Sequence, residues 1–186
     1  MPVSTPISID RFAKDFKVFG CILQDVQNQD EVKSHLLKGD EEYNYAFINA
    51  ENIVSVEQVL SVVYKTLLDK SYDRLKSKTI HSEVIFNLAP QKNIMECLNK
   101  FGVSPGSSNL VVVKVVPSTE EFGAETMDQS LGKIVEGTVL PLSDKTILKC
   151  LNYSSIKKNY KLADTMVEDP VRLTRMLVGV TQLKGL

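Results

Sequence analysis

Three cysteines, Cys21, Cys97 and Cys150, and two histidines, His35 and His81, are all the chain offers in the residue types that staple small folds or hold transition metals. The cysteines lie far apart with no CxxC pair, which argues against both a disulfide framework and a zinc site. They are expected to behave as small buried hydrophobes. The histidines do not sit at helical spacing, and no EF-hand pattern occurs, so a dedicated metal site is not expected. No GxxxxGK[ST] loop is present and no GxGxxG follows a strand; the SPGSSN turn supplies neither, so intrinsic nucleotide hydrolysis has no support. The longest strongly apolar run, residues 110–116, is interrupted by Lys114 and is far too short to span a bilayer. The first residues, MPVSTPISIDRFAKDF, lack a basic stretch followed by an apolar one and do not read as a secretory signal. The expectation is an intracellular protein without a cofactor.

What is present is the composition of one ordinary soluble domain: 186 residues, 43% hydrophobic and 24% charged. Residues 1–15 are expected to form a flexible lead-in to a single domain over 16–186. The net charge of -1 hides a segregation. Residues 1–60 and 117–144 carry -5 each, whereas 61–116 carry +4 and 145–186 carry +5. If the two basic segments meet in space, they form a surface that attracts a polyanion.

The local signals alternate between strand and helix. Residues 16–23 read as a strand, followed by a helix over 29–38 with Asn28 and Glu31 at capping-box spacing and Gly39 as its stop. A second strand over 43–49 leads to a helix from Ser55 to about Leu68, marked by Ser55 and Gln58 as a capping box and Val54 and Val59 as a hydrophobic staple. Residues 82–88 are assigned a third strand, stopped by Pro90. A helix from Asn93 to Gly102 and a valine-rich strand over 110–116, apolar on both faces and hence central, come next. Beyond it the pattern predicts a helix ending near Val135, a short edge strand in GTVLPLSD, two short helices over 145–152 and 155–162, and a last helix from Pro170 to about Leu183. The fold class is α/β: one domain with a mixed sheet of four or five strands flanked by helices.

Three places invite a functional reading. His81, Ser82 and Glu83 have the residue types of a triad, but on a strand Ser82 would face away from the other two, and a triad needs nucleophile and base in hydrogen-bond reach. An enzymatic or small-molecule cleft near His81 to Glu83 is kept as the alternative function, because open α/β folds place ligands at such strand ends. Arg74, Lys76 and Lys78 alternate in what reads as an extended loop, which would align three cations for phosphate contact; a solvated edge is the plainer reading of so short a cluster. In the last helix, Val171, Leu173, Met176, Leu177, Val178, Val180 and Leu183 cover more than one face, so it is buried on two sides, either wholly in its own domain or partly against a partner.

The ordered blocks RLKSKTIHSEVIFNLAP, then NI, LNKFG, the valine-rich strand, IVEG, IKKNYKLAD and the terminal QLKGL resemble the TPRKB family, the kinase-binding subunit of the KEOPS (or EKC) complex, and the apolar last helix resembles its fungal members. The resemblance implies a noncatalytic subunit of nucleus and cytoplasm, with the complex's atypical protein kinase as its direct partner and the other subunits as indirect ones. It also implies help in binding transfer RNA at its acceptor end for threonylcarbamoyl-adenosine modification, with an associated role in telomere maintenance and no membrane partner. On that basis Leu173, Leu177 and Val180 are assigned to kinase contact and Arg74, Lys76 and Lys78 to RNA contact.

Overall fold

The computed structural model describes residues 1–164 and 168–186. Five strands, β1 (Thr5–Ile7), β2 (Phe16–Gln24), β3 (Ala46–Asn49), β4 (Leu110–Pro117) and β5 (Thr138–Pro141), form one sheet in the order β1-β2-β4-β3, with β5 pairing on β2. All of these pairings are antiparallel, whereas the sequence suggested a mixed sheet. The reason is topological. Strands β2 and β3, joined through the helix α1 (Gln29–Lys38), run in the same direction, but β4 lies between them and opposes both.

The alternation of strand side chains divides the interior into two cores. Val18, Ile22, Ile48, Val111, Val113 and Val115 face one side, and Phe19, Cys21, Leu23, Phe47, Leu110 and Val112 face the other. Because both faces are covered, β4 is apolar almost throughout, as its sequence suggested. The second face is closed by α1 and by α5 (Ala124–Ile134), through Val32, Met127 and Leu131. The first is closed by six helices: α2 (Val56–Ser71), α3 (Ile80–Leu88), α4 (Ile94–Phe101), α6 (Asp144–Cys150), α7 (Tyr153–Asn159) and α8 (Pro170–Leu183).

Two further expectations change. Residues 1–15 are tied to the sheet: β1 pairs with β2 along Val18 to Gly20, Phe12 is buried, and the Asp128 carboxylate accepts from the backbone N–H groups of Val3 and Ser4. Asp128 thus anchors the lead-in segment, a role its sequence setting did not show. The larger correction is at residues 82–88, which form the body of helix α3 and not a strand. Its start is a capping box that sequence reasoning missed: Thr79 Oγ1 accepts from Ser82 N at 3.0 Å while Ser82 Oγ accepts from Thr79 N at 3.1 Å. The helix is buried on almost every side, so its apolar run is continuous and shows no period that would distinguish helix from strand.

Other local signals acted differently or as expected. Asn93 and Ser55 each cap their helix by accepting from the amide three residues on. Asn28 does not cap α1; its side chain bonds Ile134 O and Glu136 N and so joins α1 to the loop after α5. Among the described residues no helix is long and apolar enough to cross a membrane, and no group of three or more His, Cys, Asp or Glu side chains could hold a metal ion.

His81 shows how α3 is locked to the sheet. Pairing of β3 with β4 ends at Val113, leaving the Val115 N–H without a strand partner. His81 Nε2 accepts that N–H at 2.9 Å, which leaves Nδ1 to carry the ring proton and donate to Asn44 Oδ1, also at 2.9 Å. Burial, and then the nearby Lys114 ammonium, lower the imidazole pKa from 6.5 to about 3. The folded state therefore resists a proton that the unfolded chain accepts below about pH 6.5, and stability present above that pH falls by about 1.4 kcal/mol per unit as pH drops towards the folded value. Urea unfolding at pH 6.5 and pH 5 should show a loss of about 2 kcal/mol from this group, and His81→Gln should be weaker at pH 6.5 but lack that part of the slope. Identical pH slopes in the two proteins would contradict the buried neutral imidazole.

Candidate functional site

The basic loop between α2 and α3 does not hold its three cations together. Asp73 adopts a left-handed backbone conformation, φ 52°, that turns the chain at the end of α2. Arg74 therefore folds back: its guanidinium lies 3.5 Å from an Asp69 carboxylate oxygen and 4.9 Å from the centre of the Tyr72 ring. Lys76 and Lys78 lie apart from it and line a cleft of about 640 Å³.

One wall of that cleft is the end of α1 with the following turn, and the other is the start of α3 with α4. Ile85, Leu98 and Val103 make its interior apolar, and Leu37 and Met95 form lips that are 71% and 56% exposed. Lys33 and Lys38 enter from α1, within the N-terminal segment whose net charge is negative. Among the described residues no carboxylate comes within ion-pair distance of Lys33, Lys38, Lys76 or Lys78. An apolar groove lined by four lysines without ion-pair partners, with Asp40 and Glu41 on the turn after α1, suits a ligand with flat or apolar parts and peripheral negative charge. Sequence reasoning missed the two α1 lysines and the lips, since only the fold brings residues 33–38 against 76–103.

The His81, Ser82 and Glu83 trio lies beside this cleft, yet its polar groups are engaged elsewhere. Both ring nitrogens of His81 are bonded, to Val115 and Asn44. Ser82 Oγ is held by Thr79 and Ser77. Glu83 is fully buried beneath the loop. Successive helical positions also project about 100° apart, so the three side chains diverge here for a different reason than strand geometry. No two of the three side chains are bonded to each other.

At the other end of the chain, α8 packs lengthwise on α2. Thr174 Oγ1 and Ser55 Oγ share a hydrogen bond of 2.7 Å, and Gln182 Nε2 donates to Ser61 O and Oγ at 3.0 and 2.8 Å. Lys184, just past the helix, donates to the Phe86 and Ala89 carbonyls at the end of α3, where those acceptors lack intrahelical partners. Burial there lowers its ammonium pKa to about 8.

This packing corrects the assignment made from the sequence. Leu173 and Leu177 point into the core, 2% and 0% exposed, and Val180 is half-buried. The outward face is instead marked by exposed Arg172, Arg175 and Leu183, with half-buried Met176 and Gly179 between them, spaced i, i+3, i+4, i+7 and i+11. Leu183 is 65% exposed, and a side-chain carbon placed on Gly179 would meet nothing within 4 Å, so the helix backbone is open to close approach there. The apolar girth of α8 was legible, but its inner and outer sides could not be separated until α2 was placed. Val171, at the rim, is also exposed.

The fold and these surfaces define a small single-domain α/β protein that presents an apolar-and-arginine helix face at one place and a lysine-rimmed cleft at another. The sequence profile of the family described as kinase binding protein CGI-121 matches residues 23–185, and the chain belongs to that family. It is 32% identical over 187 aligned positions to the EKC/KEOPS complex subunit cgi121 of Aspergillus fumigatus, covering 100% of this chain and 98% of the relative. It is 35% identical to the EKC/KEOPS complex subunit CGI121 of Yarrowia lipolytica, covering 87% and 89% of the two chains. It is also 35% identical to the corresponding subunit of Schizosaccharomyces pombe, covering 81% and 84%. The fungal-type kinase-binding resemblance read from the sequence blocks is thereby established.

Because Leu177 fills the core, Leu177→Ala should lower the free energy of unfolding by about 2–5 kcal/mol. Denaturant unfolding measures this directly; an unchanged midpoint would contradict the inward placement.

Proposed function

We propose that this chain is the kinase-binding subunit of an EKC/KEOPS complex and serves it as an adaptor: the outer face of α8 docks on the complex's atypical kinase, and the lysine-rimmed cleft holds transfer RNA. Chemistry then occurs on other subunits, with threonylcarbamoyl-adenosine formation as the reaction served. The observation that carries the reading is the match to a kinase-binding family, in a chain whose last helix keeps an ordered outward face of Met176, Gly179 and Leu183. An apolar stripe flanked by arginines has the composition of an interface centre, and the missing side chain at Gly179 leaves room for a partner helix.

The RNA part rests on charge and shape. Lysines neutralise phosphates without reading sequence, and apolar walls accept the faces of unpaired bases. The reading places the protein where the complex works, in nucleus and cytoplasm, and a telomere role would follow from the assembled complex.

Gly179→Trp and Met176→Asp should each abolish copurification of the kinase while leaving unfolding midpoints close to those of the unaltered protein, since neither position belongs to the buried core and Gly179 has open space beside it. Retained copurification with both variants would remove α8 as the docking helix. For RNA, Lys76→Glu with Lys78→Glu should weaken binding and reduce the slope of log affinity against log salt by roughly 1.4, about 0.7 for each single-strand phosphate that is no longer neutralised. Arg74→Glu should have a smaller effect, because Arg74 is already paired with Asp69. An unchanged salt slope in the double reversal would exclude the cleft rim as the RNA site.

A further inference from the structure

A buried acid lies beneath one side of the cleft rim. Glu83 is 0% exposed, and its carboxylate faces the backbone of the loop that carries Lys76 and Lys78. Lys76 N–H lies 3.1 and 3.0 Å from the two carboxylate oxygens, Ser77 N–H donates at 2.7 Å, and Ser77 Oγ donates at 2.7 Å. Ser82 Oγ continues the network to Ser77 Oγ at 2.9 Å. The loop has few other internal supports: Lys76 and Lys78 are exposed, Leu75 and Ser77 are half-buried, and residues 75–78 lie between the end of α2 and the Thr79 cap. One carboxylate thus takes over the backbone donors of a segment that joins no regular structure.

We propose that Glu83 is a positioning residue for polyanion binding: its carboxylate holds the Lys76 to Lys78 loop in the conformation that turns both ammonium groups to the cleft. This inference rests on the RNA reading of the cleft, and it makes a claim that charge alone would reverse. Near a polyanion site, removing a negative charge should tighten binding through the weaker repulsion. If the acid acts by ordering the loop, removing it weakens binding, because only the fraction of molecules with the lysines in place can bind fully.

The decisive variant is Glu83→Gln. It keeps the shape of the side chain but turns one acceptor oxygen into an amide that meets the donors of Lys76 and Ser77. A short single-stranded RNA is the probe, titrated at several salt concentrations. The proposal predicts about a tenfold loss of affinity with a shallower salt slope, and faster amide hydrogen exchange at Lys76 and Ser77 with or without RNA. Ser77→Ala removes the hydroxyl's bonds to Glu83 and Ser82 but keeps the buried carboxylate and its two backbone donors, and should lose affinity in the same direction by a smaller factor. Unchanged kinase copurification in both variants shows that the domain is intact.

The Lys76→Glu, Lys78→Glu double variant separates the two levels. If it weakens binding while Glu83→Gln leaves affinity unchanged or tightens it, Glu83 is not a positioning residue and the RNA reading stands. If the double variant leaves binding unchanged, the RNA reading fails and this inference falls with it. If Glu83→Gln does not fold, Ser77→Ala carries the test, and unaltered affinity together with unaltered exchange at Lys76 would overturn the proposal.

Discussion

A helix enclosed on nearly all sides has nowhere to solvate its polar side chains, and α3 resolves this by sending each one to a different neighbour. His81 reaches the β4 backbone and Asn44, Glu83 reaches the loop before the helix, and the Asn87 amide donates to Thr66 on α2 at 3.1 Å. At the far end Lys184 caps the Phe86 and Ala89 carbonyls from beyond α8. Leaving any of these buried groups without a partner would cost about 1–3 kcal/mol. The strand edge, the loop, α2 and the chain's final turn are thus all tied by hydrogen bonds to one nine-residue helix and its end.

Both candidate surfaces follow from this arrangement. The cleft has α3 and its preceding loop as one wall, so Glu83 of α3 bonds the loop that carries Lys76 and Lys78, and the apolar interior includes Ile85 from the same helix. The outer face of α8 is positioned less directly, through α2. The hydrogen bonds of Thr174 with Ser55 and of Gln182 with Ser61 fix the rotation of α8, so that Leu173 and Leu177 turn inward while Met176 and Leu183 turn outward. A partner bound at α8 and a ligand bound in the cleft would then touch elements joined through α2 and α3, but not the same side chains.

Most of the architecture could be read from the chain wherever a local signal coincided with a local cause. The end of α1 at Gly39, the bounds of α8, the central place of β4 and the caps Ser55 and Asn93 follow from turn residues, valine content and short-range bonds. Where local and tertiary demands part, legibility was lost. The α3 segment hides its helical period because every face is buried. Asn28 has the right spacing for a cap yet serves the loop after α5. The cation triplet at 74, 76 and 78 was visible, but Asp69 and the turn at Asp73 that separate Arg74 from the others act only in three dimensions. Lys33 and Lys38 joined the cleft with no trace in the pattern, since the partner wall lies about forty residues away along the sequence.

Two methionines offer native reporters of the two surfaces, because sulfoxide formation depends on access to the thioether. Met176 lies on the outer face of α8 and Met95 on the lip of the cleft. Oxidative footprinting of the protein alone, with the kinase and with RNA, followed by mass spectrometry, reads both at once. An adaptor with separate docking sites predicts that the kinase slows oxidation of Met176 and leaves Met95 unaffected, whereas RNA slows oxidation of Met95 alone. Protection of Met95 but not Met176 by the kinase would contradict it.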